Sequence, residues 1–336
     1  MSEVTQTEAT EPSASADESG RRTRLSLVVP AYNEQESVDE ILGFYRDVRR
    51  IHDEFEIELV VVDDGSDDGT SEALLSALQD DDRAQVVTLS RNFGSHAAVT
   101  AGLVHCTGDI ALTLSADQQE PLSAIAQFID AWREGGEIVW GLRSVRATRK
   151  GIAEYFATSF SRVFNKHSEV PTYPQEGPSQ ILVTRQVIDV LASMPEINRN
   201  VLAMVAWLGF DQRKVFFEQQ PRPHGVSKWT RKKKVKLVLD SFIEFSSAPI
   251  RLLAYAGIVF GSIGALALVT ALVLVFFDGA PAGTALVSGL VLAVGGVNLV
   301  ALGLVGEYMW RAGDDARRRP VFIVSKHTTH GTSTER

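Results

Sequence analysis

Two stretches near the carboxyl end set the strongest limit on what this chain can fold into. Leu252 to Phe277 and Gly283 to Gly306 contain no charged residue. Each exceeds the ~20 residues that a helix needs to cross the hydrocarbon of a bilayer. The link Phe277-Asp-Gly-Ala-Pro-Ala-Gly283 is short and turn-rich, so the two runs predict a transmembrane helical hairpin, 252–277 and 283–306. A pair of buried core helices is the alternative, but tandem uncharged runs of this length are rare in soluble domains. Arg231, Lys232, Lys233, Lys234, Lys236 and Arg251 precede the first run, and Arg311, Arg317, Arg318 and Arg319 follow the second. The link has neither Lys nor Arg, so the positive-inside rule places both termini on the cytoplasmic side of the cell (inner) membrane.

Residues 231–251 precede the hairpin. Val235, Val238, Leu239, Phe242 and Phe245 fall at near-helical spacing among Lys232, Lys233, Lys236 and Asp240. This predicts an amphipathic helix lying on anionic headgroups, or alternatively one packed on the preceding domain.

The rest of the chain is of another kind, which is why the mean hydropathy of +0.01 describes neither part. Residues 1–23 are polar and lack aromatic side chains, and predict a disordered acidic tail. From residue 24, short apolar runs alternate with helical patterns. The runs are Leu25–Pro30, Glu58–Asp63, Ala84–Leu89, Asp109–Leu114 and Glu137–Leu142. Between them lie expected helices at about 35–51, 70–80, 94–106 and 121–134. Near-continuous apolar strands separated by helices predict an open, mostly parallel α/β sheet covered on both faces. The region 150–230 is less regular, with helical patterns at about 150–166, 185–193 and 198–208 and an extended run at 212–220. The reading assigns 24–230 to one domain and 307–336 to a cytoplasmic tail.

Ligands on such sheets sit beyond the carboxyl ends of the strands. Polar signatures cluster there: Tyr32-Asn-Glu34, Asp63-Asp-Gly-Ser66, Arg91-Asn92 and Ser115-Ala-Asp117. A net charge of −9 argues against a nucleic-acid partner. A single cysteine, Cys106, excludes an intramolecular disulfide and thiolate zinc sites. His96, His105 and Cys106 share one expected helix without a completing ligand, and read as packing or surface residues.

Several segments in order resemble the nucleotide-sugar glycosyltransferases of family 2, with the GT-A fold, and most closely their polyprenyl-phosphate (dolichol-phosphate mannosyltransferase-like) branch. They are Val28-Val-Pro-Ala-Tyr-Asn-Glu34, Val60-Val-Val-Asp-Asp-Gly-Ser66 with Asp68-Gly-Thr70, Arg91-Asn-Phe-Gly94, Ala101-Gly102, Ser115-Ala-Asp117 with Gln119 and Pro121, Gly225-Val-Ser-Lys228, and Val305-Gly-Glu-Tyr308. The resemblance spans about residues 25 to 324. It implies a GT-A, Rossmann-like domain followed by the interfacial helix and the membrane hairpin. It also implies an inverting transfer of a hexose or modified hexose from a UDP- or GDP-type nucleotide sugar to a polyprenyl phosphate.

The implied roles rest beside the chemistry of each residue. Pro30, Tyr32 and Glu34 close the first strand, where a turn and a ring can hold a base. Asp64 can accept N–H donors of a uracil or guanine, and the Asp63-Asp64 pair equally suits a turn capping the helix that begins near Gly69. Asp117 is the metal candidate for Mg²⁺ or Mn²⁺, which would neutralise the departing diphosphate; a strand-end turn is its alternative reading. The family usually has Asp-X-Asp here, and this chain has Ser115-Ala116-Asp117, with Glu120 where the family has a later Asp before Pro. Ser115 and Ala116 still belong to the expected donor site. Gln119 matches a position near the acceptor phosphate or sugar, and Arg143 an arginine near the phosphates. Arg222, Ser227 and Lys228 match a loop over the diphosphate and acceptor phosphate, or else form part of a basic juxtamembrane cluster. Glu307 and Tyr308 match a structural cap.

The acceptor reading is chemical. A sugar hydroxyl needs a general base, whereas a lipid monophosphate is largely dianionic at neutral pH because its second pKa lies near 6. No dedicated base stands out; Glu176 is the nearest candidate, in a segment, Gly177-Pro-Ser-Gln180, that departs from the family pattern. The rival readings are a polysaccharide synthase of the same fold, without its usual Gln-X-X-Arg-Trp signature, and a non-catalytic nucleotide-sugar-binding membrane protein, motivated by Ser115. Glycine-rich spans permit close helix packing within one chain or in a homo-oligomer.

Overall fold

The computed structural model describes residues 21–144, residues 172–220 apart from positions 175, 177, 195 and 198, scattered helical positions between 253 and 273, and residues 283–331. Its centre is one eight-stranded sheet. The elements run β1 (Arg24–Ala31), a 3₁₀ turn (Gln35–Ser37), α1 (Val38–Ile51), β2 (Glu56–Asp63), α2 (Thr70–Ala77), β3 (Ala84–Leu89), α3 (Ser95–His105), β4 (Ile110–Thr113), α4 (Leu122–Arg133) and β5 (Ile138–Arg143). They continue with β6 (Gln180–Thr184), α5 (Arg185–Ser193), α6 (Val201–Trp207), β7 (Gln212–Phe217), α7 (Gly283–Ala316) and β8 (Val324–His330). Strand order is β7-β5-β6-β4-β1-β2-β3-β8. β1 pairs in parallel with both β2 and β4, β2 with β3, and β5 with β7. β6 is antiparallel to β4 and β5, and β8 to β3.

The strands are apolar on both sides because both faces are covered. Leu25, Leu27 and Val29 of β1 join a cluster with Ile41, Tyr45 and Phe128 from α1 and α4. Val28, between them in sequence, turns to the other face and packs with Val60, Val62, Ala98 and Ala101. Alternate side chains of a strand point to opposite faces, so each strand serves two cores. Burying each such Val or Leu contributes about 1.5–3 kcal/mol. α3 approaches β1 so closely that a Cβ at Gly102 would run into the Cγ1 of Val28.

β1 lies between β2 and β4, so the chain winds one way through β2 and β3 and then crosses to the other side of β1 for β4. The carboxyl ends of β1 and β4 therefore diverge at a topological switch point, the place where open α/β sheets leave a crevice for ligands. The motifs of β1 and β4 end there.

Two elements differ from expectation. β6 lies inside the region read as irregular. β8 lies inside residues 307–336, read as a tail: it pairs with β3 over Ala84↔His330 to Thr88↔Lys326, so this segment closes the edge of the sheet. Ser325 Oγ donates to the Thr88 carbonyl at 3.0 Å, and His327 Nε2 lies 2.9 Å from Gln85 Oε1. The second uncharged run lies within α7, whose helix continues past Gly306 to Ala316, so Glu307 and Tyr308 lie within it. The amide of Ile197 donates to Asp315 near the end of α7 at 3.2 Å. Among the described residues, no helix is long and apolar enough to cross a membrane. The expected helix at 150–166 and the interfacial helix over 231–251 lie outside the described residues.

Candidate active site

The loops at the switch point are knitted together by short polar side chains. After β1, Asn33 adopts φ +53°, and its amide donates to Ser66 Oγ at 2.9 Å. Its Oδ1 accepts from the Asp67 amide at 2.9 Å. The Glu34 amide donates to Thr70 Oγ1 at 3.0 Å, and the Glu34 carboxylate accepts from Ser37 Oγ at 3.0 Å, at the start of α1. Pro30, Tyr32 and Glu34 are half-buried along this rim.

After β2, both aspartates are buried and serve the loops around them. Asp63 accepts from the Ser66 amide at 2.9 Å and from Ser71 Oγ at 2.5 Å. Asp64 accepts from the Phe93 amide at 2.7 Å and the Gly94 amide at 2.9 Å, so it pins the loop that leads into α3. Burial raises the Asp64 pKa, and these two amides hold it down in part. Gly65 makes this crossing possible: its φ is +68°, and a Cβ there would sit 2.5 Å from the Arg91 carbonyl carbon. Arg91 stacks its guanidinium 4.0 Å from the centre of the Phe93 ring. The carboxylate expected to meet a base is thus already engaged by two backbone amides, although each oxygen keeps a second lone pair.

The turn after β4 is different. Leu114 continues the pairing to β1, its amide donating to Val28 O at 2.8 Å. Gln118 takes φ +45°, a conformation uncommon outside glycine, and so reverses the chain abruptly. Asp117 stands half-buried beside this reversal. Ser115 donates its hydroxyl to Glu120, 2.8 Å from each carboxylate oxygen, and its amide lies 3.3 Å from Oε2. Gln180 Nε2, at the head of β6, donates to the same carboxylate. Glu120 is 2% exposed, and burial, opposed by the Ser115 hydroxyl, pushes its pKa up to about 7. Ala116 is buried beneath the turn.

Gln119 is held from the far end of the sheet. Its carbonyl accepts from the Gln220 amide at 2.8 Å, and its Oε1 accepts from Gln219 Nε2. Arg143 ends β5 in register with Phe217 of β7, two residues before Gln219. Arg222, Ser227 and Lys228 lie outside the described residues. Glu176 is ion-paired with Lys214 of β7 at 3.2 Å. His96 is half-buried in α3, and burial lowers its pKa to about 4, in keeping with a packing role.

Among the described residues, no cluster of three or more His, Cys, Asp or Glu side chains is arranged to hold a metal by itself. The residues present suit a cation held in another way. Mg²⁺ commonly takes one or two carboxylates and completes its shell with substrate phosphates and water. Asp117, half-buried in the turn that follows β4, is a carboxylate of that kind.

Sequence reasoning did not anticipate Gln180, Gln219 or Gln220 as parts of this site. The only signal for Gln180 is an amide side chain opening an otherwise apolar run, Gln180-Ile-Leu-Val-Thr184.

Residues 26–177, from β1 to the approach of β6, match Glycosyl transferase family 2. An uncharacterized glycosyltransferase of Synechocystis is 31% identical over 90% of this chain and 94% of its own. The chain belongs to glycosyltransferase family 2, and it is a glycosyltransferase. A prophage-derived bactoprenol glucosyl transferase of Shigella flexneri is 32% identical over 90% of this chain and 98% of its own. Among solved structures, a mannosyltransferase of Pyrobaculum calidifontis in complex with GDP-Man and Mn²⁺ is 18% identical over 92% of each chain, with a TM-score of 0.47.

Proposed function

We propose that this glycosyltransferase moves a hexose or modified hexose from a UDP- or GDP-type nucleotide sugar to a polyprenyl phosphate, at the cytoplasmic face of the membrane and with inversion. The observation that carries the reading is the extent of the likeness to the bactoprenol glucosyl transferase. It runs over 98% of that protein, and so extends past the family-wide domain into the C-terminal part. Two further features support it. The runs 252–277 and 283–306 contain no charged residue, which suits a membrane anchor. Val291, Leu299, Leu302 and Met309 of α7 are exposed, an apolar surface that lipid would cover.

The donor diphosphate is assigned to the crevice between the ends of β1 and β4, its base toward Tyr32 and Asp64. Asp117 would hold Mg²⁺ or Mn²⁺ there. The ion, when bound, neutralises the charge that develops on the departing diphosphate. The acceptor is a phosphate monoester, so its own oxygen attacks C1 of the sugar as the bond from C1 to the diphosphate breaks. No side chain has to remove a proton from a dianionic nucleophile. Glu176, the nearest candidate for a base, lies in an exposed ion pair with Lys214. Arg143, with Arg222, Ser227 and Lys228, would bring the two phosphates together against their mutual repulsion.

A donor screen tests the reading. Detergent-purified protein is incubated with polyprenyl phosphate, Mg²⁺ or Mn²⁺, and a panel of UDP- and GDP-sugars, with products read by mass spectrometry. One donor giving a lipid phosphosugar is the expected result. Transfer to water or to a sugar hydroxyl, with none to lipid phosphate, overturns it.

A further inference from the structure

The turn after β4 carries an arrangement that the sequence alone presents as a defect. Ser115 stands where the family has a first acid, and the structure brings a carboxylate to that place from the opposite side of the turn. Glu120 reaches back five residues and meets the Ser115 hydroxyl at 2.8 Å and its amide at 3.3 Å. Glutamate is one methylene longer than the aspartate usual before this proline, and serine is shorter than the aspartate usual at 115. The two changes are complementary: one side chain retracts and becomes a donor, the other extends and becomes the acceptor.

A third residue completes the set. Gln180 donates to the same carboxylate from β6 and itself accepts from Ser179 Oγ. Its backbone is fixed in register with Gly141 of β5, where a Cβ would lie 2.6 Å from the Phe128 ring and 3.2 Å from the Gln180 Cβ. Gln180 and Glu120 are 4% and 2% exposed, so they are shielded from solvent and from any ligand in the crevice. A buried carboxylate held by two donors has one geometry, and that geometry spans both ends of the loop that carries Asp117.

We propose that Ser115, Glu120 and Gln180 form a positioning brace that fixes the Asp117 turn for the cation and diphosphate, and that Ser115 and Glu120 are a matched pair. Glu120 is a positioning residue in this account and does not touch the metal. An acid at 115 would set acceptor oxygens against the Glu120 carboxylate where the Ser115 hydroxyl now donates, so that hydrogen bond is lost. Restoring the family residue at 115 alone therefore harms the site, and replacing Glu120 by Gln, whose amide can donate, repairs it. The inference rests on the proposed role of Asp117.

The test uses the full chain in detergent. Mn²⁺ is titrated with UDP, and separately with GDP, and free Mn²⁺ is read by electron paramagnetic resonance; melting temperature and the KM for Mn²⁺ are followed in parallel. Glu120→Ala and Gln180→Ala are expected to weaken Mn²⁺ binding about tenfold, the range found for groups that orient a metal ligand. Their KM for Mn²⁺ should rise by the same factor, with kcat at saturating Mn²⁺ far less affected. Glu120→Gln, which keeps an acceptor for the Ser115 hydroxyl, is expected to retain most of the affinity, and it keeps the test open if the alanine variant fails to fold. Ser115→Asp should weaken binding and lower the melting temperature, and Ser115→Asp with Glu120→Gln should recover both. Tighter Mn²⁺ binding in Ser115→Asp with Glu120 intact overturns the matched pair. Unchanged Mn²⁺ binding in folded Gln180→Ala and Glu120→Ala, or in Gln180→Ala alone if Glu120→Ala does not fold, together with full affinity in Ser115→Asp, overturns the brace. Asp117→Ala separates the levels: if it binds Mn²⁺ as the wild type does, the role assigned to Asp117 fails first, and the brace has nothing to position.

Discussion

At the end of β2, two adjacent aspartates give their carboxylates to the protein's own amides and hydroxyls. At the end of β4 the two acids differ: Glu120 is buried and turned inward to Ser115 and Gln180, and Asp117 is half-buried in the turn between them. The first turn is a knot: Asp63 ties Ser66 and Ser71, Asp64 ties Phe93 and Gly94, and Gly65 lets the loops cross. The second is a bracket, and the proposed function gives its chemical task to Asp117 alone. Acids in a strand-end motif are thus of two kinds, and residue type does not tell them apart. Burial and the identity of the donors do.

If this division is right, the largest effect belongs to Asp117. Replacing it with Ala should lower the rate of lipid phosphosugar formation about 10²–10³-fold, the usual loss when one group stabilising charge in the transition state is removed. The melting temperature should fall less than on loss of Asp64, because Asp117 is only half-buried whereas Asp64 is buried and accepts from two backbone amides. A collapse in stability with turnover per folded molecule intact would place Asp117 with the knot.

Next in size is a pH effect at Glu120, whose pKa is raised from 4.5 to about 7, first by burial. Below pH 4.5 its carboxyl is protonated in the folded and unfolded chain alike. Between 4.5 and about 7 the unfolded chain has released the proton and the folded chain has kept it. The folded state therefore binds more protons, so stability falls as pH rises through this window and levels off above it. Relative to Glu120→Gln, the metal-free wild type should lose on the order of 3 kcal/mol between pH 4.5 and pH 8. Urea unfolding of both proteins across that range measures the difference. Parallel pH profiles would sink the assignment.

How much of this is legible in the sequence follows the same physics. β1 to β5 and their helices could be read because each strand is buried on both faces and so is continuously apolar. The polar motifs marked the strand ends, but the switch point was not legible, because it depends on the strand order β4-β1-β2. β8 was not legible. Val324-Ser-Lys-His-Thr-Thr-His330 is an edge strand with mostly exposed side chains, held by backbone pairing to β3 across more than half the chain, and such pairing leaves no periodicity in sequence. β6 was hidden because Gln180–Thr184 runs directly into the apolar pattern of α5. The partners of Asp64 are backbone amides, which no motif records, and the Ser115–Glu120 pair looked like two separate departures from a family pattern.

The knot makes a smaller, purely structural prediction. Asp64→Asn keeps one acceptor but turns an N–H toward a second N–H, so one buried charge-assisted hydrogen bond is lost and a clash of donors replaces it. The expected cost is about 2 kcal/mol, seen as a lowered urea midpoint. A cost no larger than that of an exposed ion pair would mean that the Phe93–Gly94 loop is held by something other than Asp64.

The smallest effect sharpens the chemistry most. Glu176 and Lys214 form an exposed pair at the edge of the sheet, at 32% and 45% side-chain exposure. Solvent screens such pairs, so Lys214→Ala should cost no more than about 0.5 kcal/mol. Glu176→Gln is the informative partner. A phosphate acceptor needs no base, so this variant should transfer sugar to polyprenyl phosphate at close to the wild-type rate, and with an unchanged pH profile. A large fall in kcat, with the acidic limb of the profile lost, would make Glu176 a general base. The acceptor would then have to be a hydroxyl, and the contrast between a knot of structural acids and a single working carboxylate at Asp117 would no longer hold.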